Sequence, residues 1–185
     1  AYGSDYAGIV CGHNSGNIRN CYANGIISGE DNLGGICGWN YEGEISSCWF
    51  NGTVQGDAQT QSAEHLGGIC GQNNPDTTLV SNCYAQGTIS GHSSIGGLVG
   101  RNIGGNITSC YSTCLVTGTG YSIGGLIGTN NGSVTNSFWD KDASGQSNSD
   151  GGTGLTTVQM QTLSTFTNAG WDFAGEAANG SEEVW

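Results

Sequence analysis

Eight of the 185 residues are cysteines, and seven of them form two series. Cys11, Cys37 and Cys70 each open a Cys–Gly–x–Asn element, in "CGHN", "CGWN" and "CGQN". Cys21, Cys48, Cys83 and Cys110 each precede an aromatic residue. Thiols in such patterns can oxidise to disulfides, ligate a soft metal or pack as small hydrophobes. No CxxC or HxxxH spacing occurs, which disfavours zinc. The two series change together. Val99 replaces the fourth first-series thiol, and there alone an extra one, Cys114, stands where earlier copies have glycine. In the fifth copy both positions are lost, as Ile127 and Ser137. Partners that come and go together predict disulfides Cys11–Cys21, Cys37–Cys48, Cys70–Cys83 and Cys110–Cys114. A ladder of free thiols is the alternative.

The carboxylates offer less. Acid–base catalysis needs converging carboxylates, often with a basic residue nearby. Glu30 with Asp31, and Glu42 with Glu44, are close in sequence, but neither pair recurs in the other copies. His13, His65 and His92 share no motif, and no GxSxG, HExxH or phosphate loop is present. The chain therefore reads as non-enzymatic, with no cofactor. One weak calcium candidate remains: "DKDASG" places Asp140, Asp142 and Ser144 at alternate positions, but Gly151 stands where the loop's glutamate belongs.

Charge narrows the partners further. Fifteen acids face three bases, Arg19, Arg101 and Lys141, for a net charge of −12. Nucleic acid and anionic membranes are poor partners for such a surface. No run reaches the roughly 20 apolar residues of a membrane span. An even number of cysteines and a single lysine suit an extracellular or cell-surface protein. The absence of a signal peptide, and a start at Ala1, read as a processed product or an excised fragment.

The elements that must position these groups repeat. "CGHN", "CGWN", "CGQN", "VGRN" and "IGTN" place asparagines at Asn14, Asn40, Asn73, Asn102 and Asn130. Each element follows a run such as "LGGI" or "IGGL" and precedes a second run, from "NIRNCYANG" to "SVTNSFWD". Four copies add a third short run: "IISG", "TVQG", "TISG" and "LVTG". Short runs of β-branched and aromatic residues between glycines are strand chemistry. One copy cannot bury an apolar face, but stacked copies can. The expected fold is all-β: a parallel β-solenoid of about five three-strand coils over residues 1–139, with a capping segment at 140–185.

Stacking turns equivalent positions into columns. The asparagines predict a hydrogen-bonded amide ladder. Tyr22, Trp49, Tyr84, Tyr111 and Phe138 form an aromatic column. It is either a sugar-stacking or interface stripe, or covered, and covered is the favoured reading. A bend near Asn20, Ser47, Asn82, Ser109 and Asn136 interrupts the strand alternation that would decide. Asn51 and Asn106 head glycosylation sequons.

"LGGICGWN", "IGGLVGRN" and "IGGLIGTN" resemble the GLUG motif, over about residues 6–139. The resemblance implies a repeat region of large bacterial surface or secreted proteins, including the non-catalytic N-terminal regions of immunoglobulin-A-cleaving metallopeptidases. That family often has an unpaired cysteine before the aromatic, which favours the free-thiol alternative. Its usual residue at the first-series position is valine, which favours pairing.

In the capping segment, "LTTVQMQTLSTF" predicts the one helix. Thr156 and Gln159 make its capping box, Leu155 and Met160 a hydrophobic staple, and Leu163 and Phe166 its apolar face, with Gly170 at the end. Trp171, Phe173 and Trp185 add apolar cover. The turn "GSDYAG" matches "GEDNLG" before the second copy, so the first coil is expected to lack a cap. An uncapped parallel edge predicts a longer solenoid or head-to-tail stacking of copies into a filament. The resulting expectation is an extracellular structural or adhesive solenoid, with a glycan-binding module as the alternative.

Overall fold

The computed structural model describes residues 2–3, 6–57 and 62–174. Part of the loop "DAQTQSAEH", part of "GSDYAG" and Trp185 lie outside the described residues. The chain winds as a parallel β-solenoid whose coils contribute in turn to four sheets. Strands Ala7–Gly8, Leu33–Gly34, Glu64–Gly67, Ser93–Gly96 and Ile123–Gly124 make the first sheet. Cys11–Asn14, Cys37–Tyr41, Cys70–Asn74, Val99–Asn102 and Ile127–Asn130 make the second. Asn17–Arg19, Glu44–Ser46, Leu79–Ser81, Asn106–Thr108 and Ser133–Thr135 make the third. The fourth carries the long strands Tyr22–Gly29, Trp49–Gly56 and Tyr84–Gly91, with shorter strands at both ends.

Each coil thus has four strands where the sequence pattern predicts three. "LGGICGWN" is two strands, because the chain turns at its glycine pair. A side chain on the second glycine of that pair would run into the core: into Phe50 at Gly35, Ala85 at Gly68, Ser112 at Gly97 and Trp139 at Gly125. The aromatic and third runs, by contrast, fuse into one eight-residue strand. That strand continues through a glycine with φ of 151° at Gly25 and 124° at Gly87, values that disfavour any side chain. In the fourth coil Cys114 occupies the equivalent place, and the strand breaks into Tyr111–Ser112 and Leu115–Gly118.

The corner before each long strand is left-handed. Asn20, Ser47, Asn82, Ser109 and Asn136 have φ of 53°, 51°, 52°, 52° and 48°. Asparagine tolerates this region because its short polar side chain bonds locally. A second left-handed column, Asn32, His65, Ser94 and Ser122, stands directly ahead of Leu33, Leu66, Ile95 and Ile123 and has no obvious sequence signature.

Inward positions stack like on like. Ile36, Ile69, Leu98 and Leu126 are fully buried, as are Leu33, Leu66 and Ile95 in the first sheet. Burying each such side chain stabilises by about 1.5–3 kcal/mol, which offsets the glycine-rich backbone's ordering entropy.

After Asp140 the chain closes the C-terminal end. Helix α1 (Lys141–Ser144) leads to a segment laid across the last coil. Gly125 donates to Asn148 O at 3.1 Å, Ile127 N to Ser149 Oγ at 2.9 Å, and Asn130 N to Asp150 Oδ2 at 2.7 Å. Thr153–Leu155 then pairs in parallel with Phe138–Asp140. Helices α2 (Thr157–Met160) and α3 (Leu163–Thr167) follow. Two short helices, α2 and α3, therefore replace the single predicted one, and α1 precedes them. The capping box at Thr156 and Gln159 forms, but the helix breaks at Gln161 and Thr162, and Leu163 is left 58% exposed rather than on the apolar face. Phe166 does face inward, and Gly170 adopts φ of 83° where the turn after α3 ends.

Candidate functional site

All eight cysteines are free thiols, so the four predicted disulfides do not form. The reason lies in what the sulfurs do. In the second series each thiol donates to the carbonyl two residues earlier: Cys48 to Ser46 O, Cys83 to Ser81 O and Cys110 to Thr108 O, all at 3.1 Å. Each also accepts a backbone N–H from the coil before it. Cys21 N reaches Cys48 Sγ, Cys48 N reaches Cys83 Sγ, and Cys83 N reaches Cys110 Sγ, all at 3.4 Å. The sulfurs thereby serve backbone groups beside the left-handed corner. A disulfide would remove the S–H donor and pull the sulfur out of this line.

The first series runs along the axis too. Cys11, Cys37 and Cys70 are register partners, and Cys11 Sγ lies 3.6 Å from Cys37 Sγ. Cys37 donates to Trp39 O at 3.2 Å and Cys70 to Gln72 O at 2.9 Å. Cys114 is fully buried, and burial pushes its thiol up to about 12, partly offset by Ser112. The Cys11 thiol is raised by its bond to Cys37, then by burial. For Cys83 burial is the leading cause of a similar rise, followed by Cys110. Raised thiols are poor nucleophiles, since the thiolate is the reactive form.

The asparagine ladder is continuous. Asn14 Nδ2 donates to Asn40 Oδ1, Asn40 to Asn73, Asn73 to Asn102 and Asn102 to Asn130, each at 2.8 Å. The amides also close the adjacent turn, with Asn40 Nδ2 bonding Gly43 O at 3.0 Å and Asn102 Nδ2 bonding Gly105 O at 2.8 Å. Every side-chain donor points the same way, toward the C-terminal end.

The aromatic column is graded rather than uniformly covered. Tyr22 is 51% exposed and Trp49 36%, whereas Phe138 is buried. The described part of the tail covers the C-terminal part: Phe166 and Trp171 pack on Phe138 at 5.5 and 5.9 Å, and Trp171 also lies 6.1 Å from Tyr111. Trp171 Nε1 donates to Asn136 O at 2.9 Å, which fixes the cover in place. Burial beneath it, with Tyr84 adding to the effect, pushes the Tyr111 phenol up to about 12. Along the open part the rings stack on one another. Centroids lie 5.1 Å apart for Tyr22–Trp49, 6.0 Å for Trp49–Tyr84 and 5.0 Å for Tyr84–Tyr111, the last two within 5° of parallel. Sugars stack on ring faces, and here the faces largely cover each other.

Sequence reasoning missed a second aromatic group on the outer side of the second sheet. Trp39 stacks on Tyr6 at 5.0 Å and meets His13 and Tyr41 edge-on at the same distance. The variable third position of the Cys–Gly–x–Asn element was its signal, since His13 and Trp39 occupy it in adjacent coils.

The acids do not converge. Glu44 pairs with Arg19 of the preceding coil at 2.6 Å, and this bond, with one from Ser46, lowers its carboxyl pKa. Asp31 accepts from Glu64 N at 2.9 Å. The calcium reading of Asp140, Asp142 and Ser144 gives way to helix capping. Asp140 Oδ1 accepts from Asp142 N and Ala143 N, both Asp140 oxygens face the Thr157 hydroxyl, and Asp142 Oδ2 accepts from Thr157 N. Ser144 is buried and bonds Lys141 O and Gln146 N. Among the described residues no three His, Cys, Asp or Glu side chains are grouped as a metal would require.

The profile of the GLUG motif matches residues 62–90 and 91–113, the third coil and most of the fourth. The chain carries GLUG repeats. The second and fifth coils pair with the matched GLUG segments residue for residue, with Asn40 opposite Asn73 and Asn102 opposite Asn130. A protein of Evansella cellulosilytica, provisionally named a Gly-rich membrane protein, is 38% identical over 103 residues. That match covers 51% of this chain and 12% of the relative's length. Among the described residues no helix is long and apolar enough to cross a membrane, which leaves membrane-spanning strands unaddressed.

Proposed function

We propose that this chain is a non-catalytic structural and adhesive segment of an extracellular or cell-surface protein, a solenoid that spaces other parts of a larger polypeptide. One observation carries this reading: the groups able to do chemistry are spent on holding coils together. The amides of Asn40, Asn73 and Asn102 bond the next coil, and the thiols of Cys48, Cys83 and Cys110 bond backbone of their own coil and of the coil before. The relative's name as a membrane protein supports a surface location, and the 12% coverage supports a segment of something longer. Protease shaving of intact source cells tests it. The expected result is release of solenoid peptides without lysis; peptides seen only after lysis would sink the reading.

A filament of copies stacked head to tail is a narrower form of the same idea. It is the weaker form, because residues 148–150 and the strand Thr153–Leu155 already bond the last coil's backbone.

Glycan binding is the second reading, favoured by the exposure of Tyr22 and Trp49. Because the inner rings cover one another, Tyr22 is the residue to test. Glycan-array signal lost on Tyr22→Ala but kept on Phe138→Leu would support it, and no array signal at all would end it.

A further inference from the structure

We propose that the cleft between the capping helices and the fourth sheet binds a quaternary ammonium group, the cation carried by choline. The site lies at the covered end of the aromatic column, apart from Tyr22 and Trp49, and it does not depend on where the protein resides.

The tail turns back over the last coils, and helices α2 and α3 come to lie against the outer face of the fourth sheet. A space of about 590 Å³ remains beneath them. That falls within the roughly 300–1,000 Å³ of small-molecule sites. Its walls are largely aromatic. Tyr111, Phe166, Trp171 and Phe173 line it, with Met160 and Leu163 beside them. Tyr111 is inclined by 60° to Phe166 and by 40° to Trp171, and those two by 53° to each other. Inclined contacts leave ring faces uncovered, unlike the 3° stack of Tyr84 on Tyr111. Leu163 stands 58% exposed at the cleft, an apolar surface that a methylated ligand would cover.

One charge joins these apolar walls. Asp140 lines the same cleft and is 3% exposed. It lies two residues beyond Phe138 on one strand, so strand alternation puts its carboxylate on the aromatic side of the sheet. Among the described residues no lysine, arginine or histidine pairs with it. Its oxygens are held instead by neutral donors: Asp142 N at 2.9 Å, Ala143 N at 3.0 Å and the Thr157 hydroxyl at 2.8 Å from Oδ2. Taking a carboxylate out of water without a countercharge is costly. A cation in the cleft would supply that charge.

The same donors select which cation. Both oxygens already accept hydrogen bonds, so a primary ammonium would compete for the acceptors that cap α1. A quaternary ammonium donates none. It needs a negative charge nearby and ring faces against its methyl groups, and cation–π attraction is strongest where water is excluded. The net charge of −12 draws in cations generally but does not favour one over another.

Isothermal titration calorimetry of the intact chain with choline chloride is the test. Ethanolamine is the primary-ammonium counterpart, and dimethylbutanol, whose tert-butyl group replaces the trimethylammonium, is the neutral one. Choline should bind with a Kd of about 1 mM or below, and each counterpart at least tenfold more weakly. Asp140→Asn keeps an oxygen to accept from Asp142 N and Ala143 N but removes the charge. It should weaken choline binding at least tenfold, while Tyr22→Ala should leave it unchanged. If near-ultraviolet circular dichroism shows that the Asn variant loses its cap, the comparison with dimethylbutanol on the unaltered chain still decides. Phosphocholine in a parallel titration separates two sources of the same cation: affinity equal to choline's assigns a headgroup borne on a phosphate ester, and a large loss assigns the free cation. Equal binding of dimethylbutanol and choline overturns the proposal, because the cleft is then merely apolar. Equal binding of ethanolamine and choline overturns it as well, because attraction to an acidic surface would do the same. No choline binding at all would end it.

Discussion

Ser137 does for Cys110 what Cys110 does for Cys83. Cys110 N donates to Ser137 Oγ at 3.1 Å, and Ser137 Oγ donates to Thr135 O at 2.8 Å. One coil earlier, Cys83 N donates to Cys110 Sγ at 3.4 Å and Cys110 Sγ donates to Thr108 O at 3.1 Å. A hydroxyl and a thiol are interchangeable here because the position needs a small group that both accepts and donates.

The first prediction follows directly. Cys83→Ser should keep most of the stability, while Cys83→Ala leaves the Cys48 N–H and the Ser81 carbonyl without their sulfur partner. The alanine variant should be less stable than the serine variant by about 1–3 kcal/mol, the cost of unsatisfied buried polar groups. Urea denaturation measures the difference. Equal losses in both variants would favour a covalent role for the sulfur instead. Thiol labelling in denaturant without reductant should count eight reactive groups.

The amide ladder should be strongest in its interior. Asn73→Ala strands the Asn40 donor and the Asn102 acceptor, and should cost about 2–4 kcal/mol. Asn130→Ala removes a less buried terminal member and should cost less than half as much in the same assay.

The left-handed corner has a removable cost. Ser109 sits at φ 52°, in the left-handed region that a Cβ disfavours. Ser109→Gly should stabilise by about 0.5–1 kcal/mol, and Ser109→Val should destabilise by more than that. Thermal unfolding by circular dichroism would decide; a loss on Ser109→Gly would mean the hydroxyl itself matters.

Alkaline solution should loosen the solenoid. Cys114 is raised from 9.0 to about 12 and Tyr111 from 10.0 to about 12 in the folded chain. In that window the unfolded chain has lost protons that the folded chain keeps, so stability falls as pH rises from about 9 toward 12. Below pH 9 these groups are protonated in both states and contribute no slope. Melting temperature measured between pH 8 and 11 should drop, and Cys114→Ala should flatten the lower part of the fall.

Much of this was legible in the residues. The asparagine spacing revealed the coils, because a ladder needs one amide per turn. The bends at Asn20, Ser47, Asn82, Ser109 and Asn136 were visible because they interrupt strand alternation. The sulfur chemistry was misread for a physical reason: co-occurrence of Cys37 and Cys48 within a repeat looks like pairing, but in a solenoid the nearest equivalent residue lies one coil away. Cys37 accordingly meets Cys11, and Cys48 meets Cys21. The bond from the Thr157 hydroxyl to Asp140 is a tertiary contact that no local pattern encodes. The gradient in the aromatic column is likewise set by how far Trp171 reaches.

The single direction of the asparagine ladder has a mechanical meaning. Under tension applied at the N-terminal end, the load falls on one coil's amide and backbone bonds at a time, and the next coil is stressed only after the first has peeled away. Each release frees the 26 to 33 residues between successive asparagines. At about 3.3–3.6 Å per extended residue, that is roughly 90–120 Å of slack per step. A tether built this way gives under a sudden pull in instalments of similar size, and its closed C-terminal end is the last part to let go.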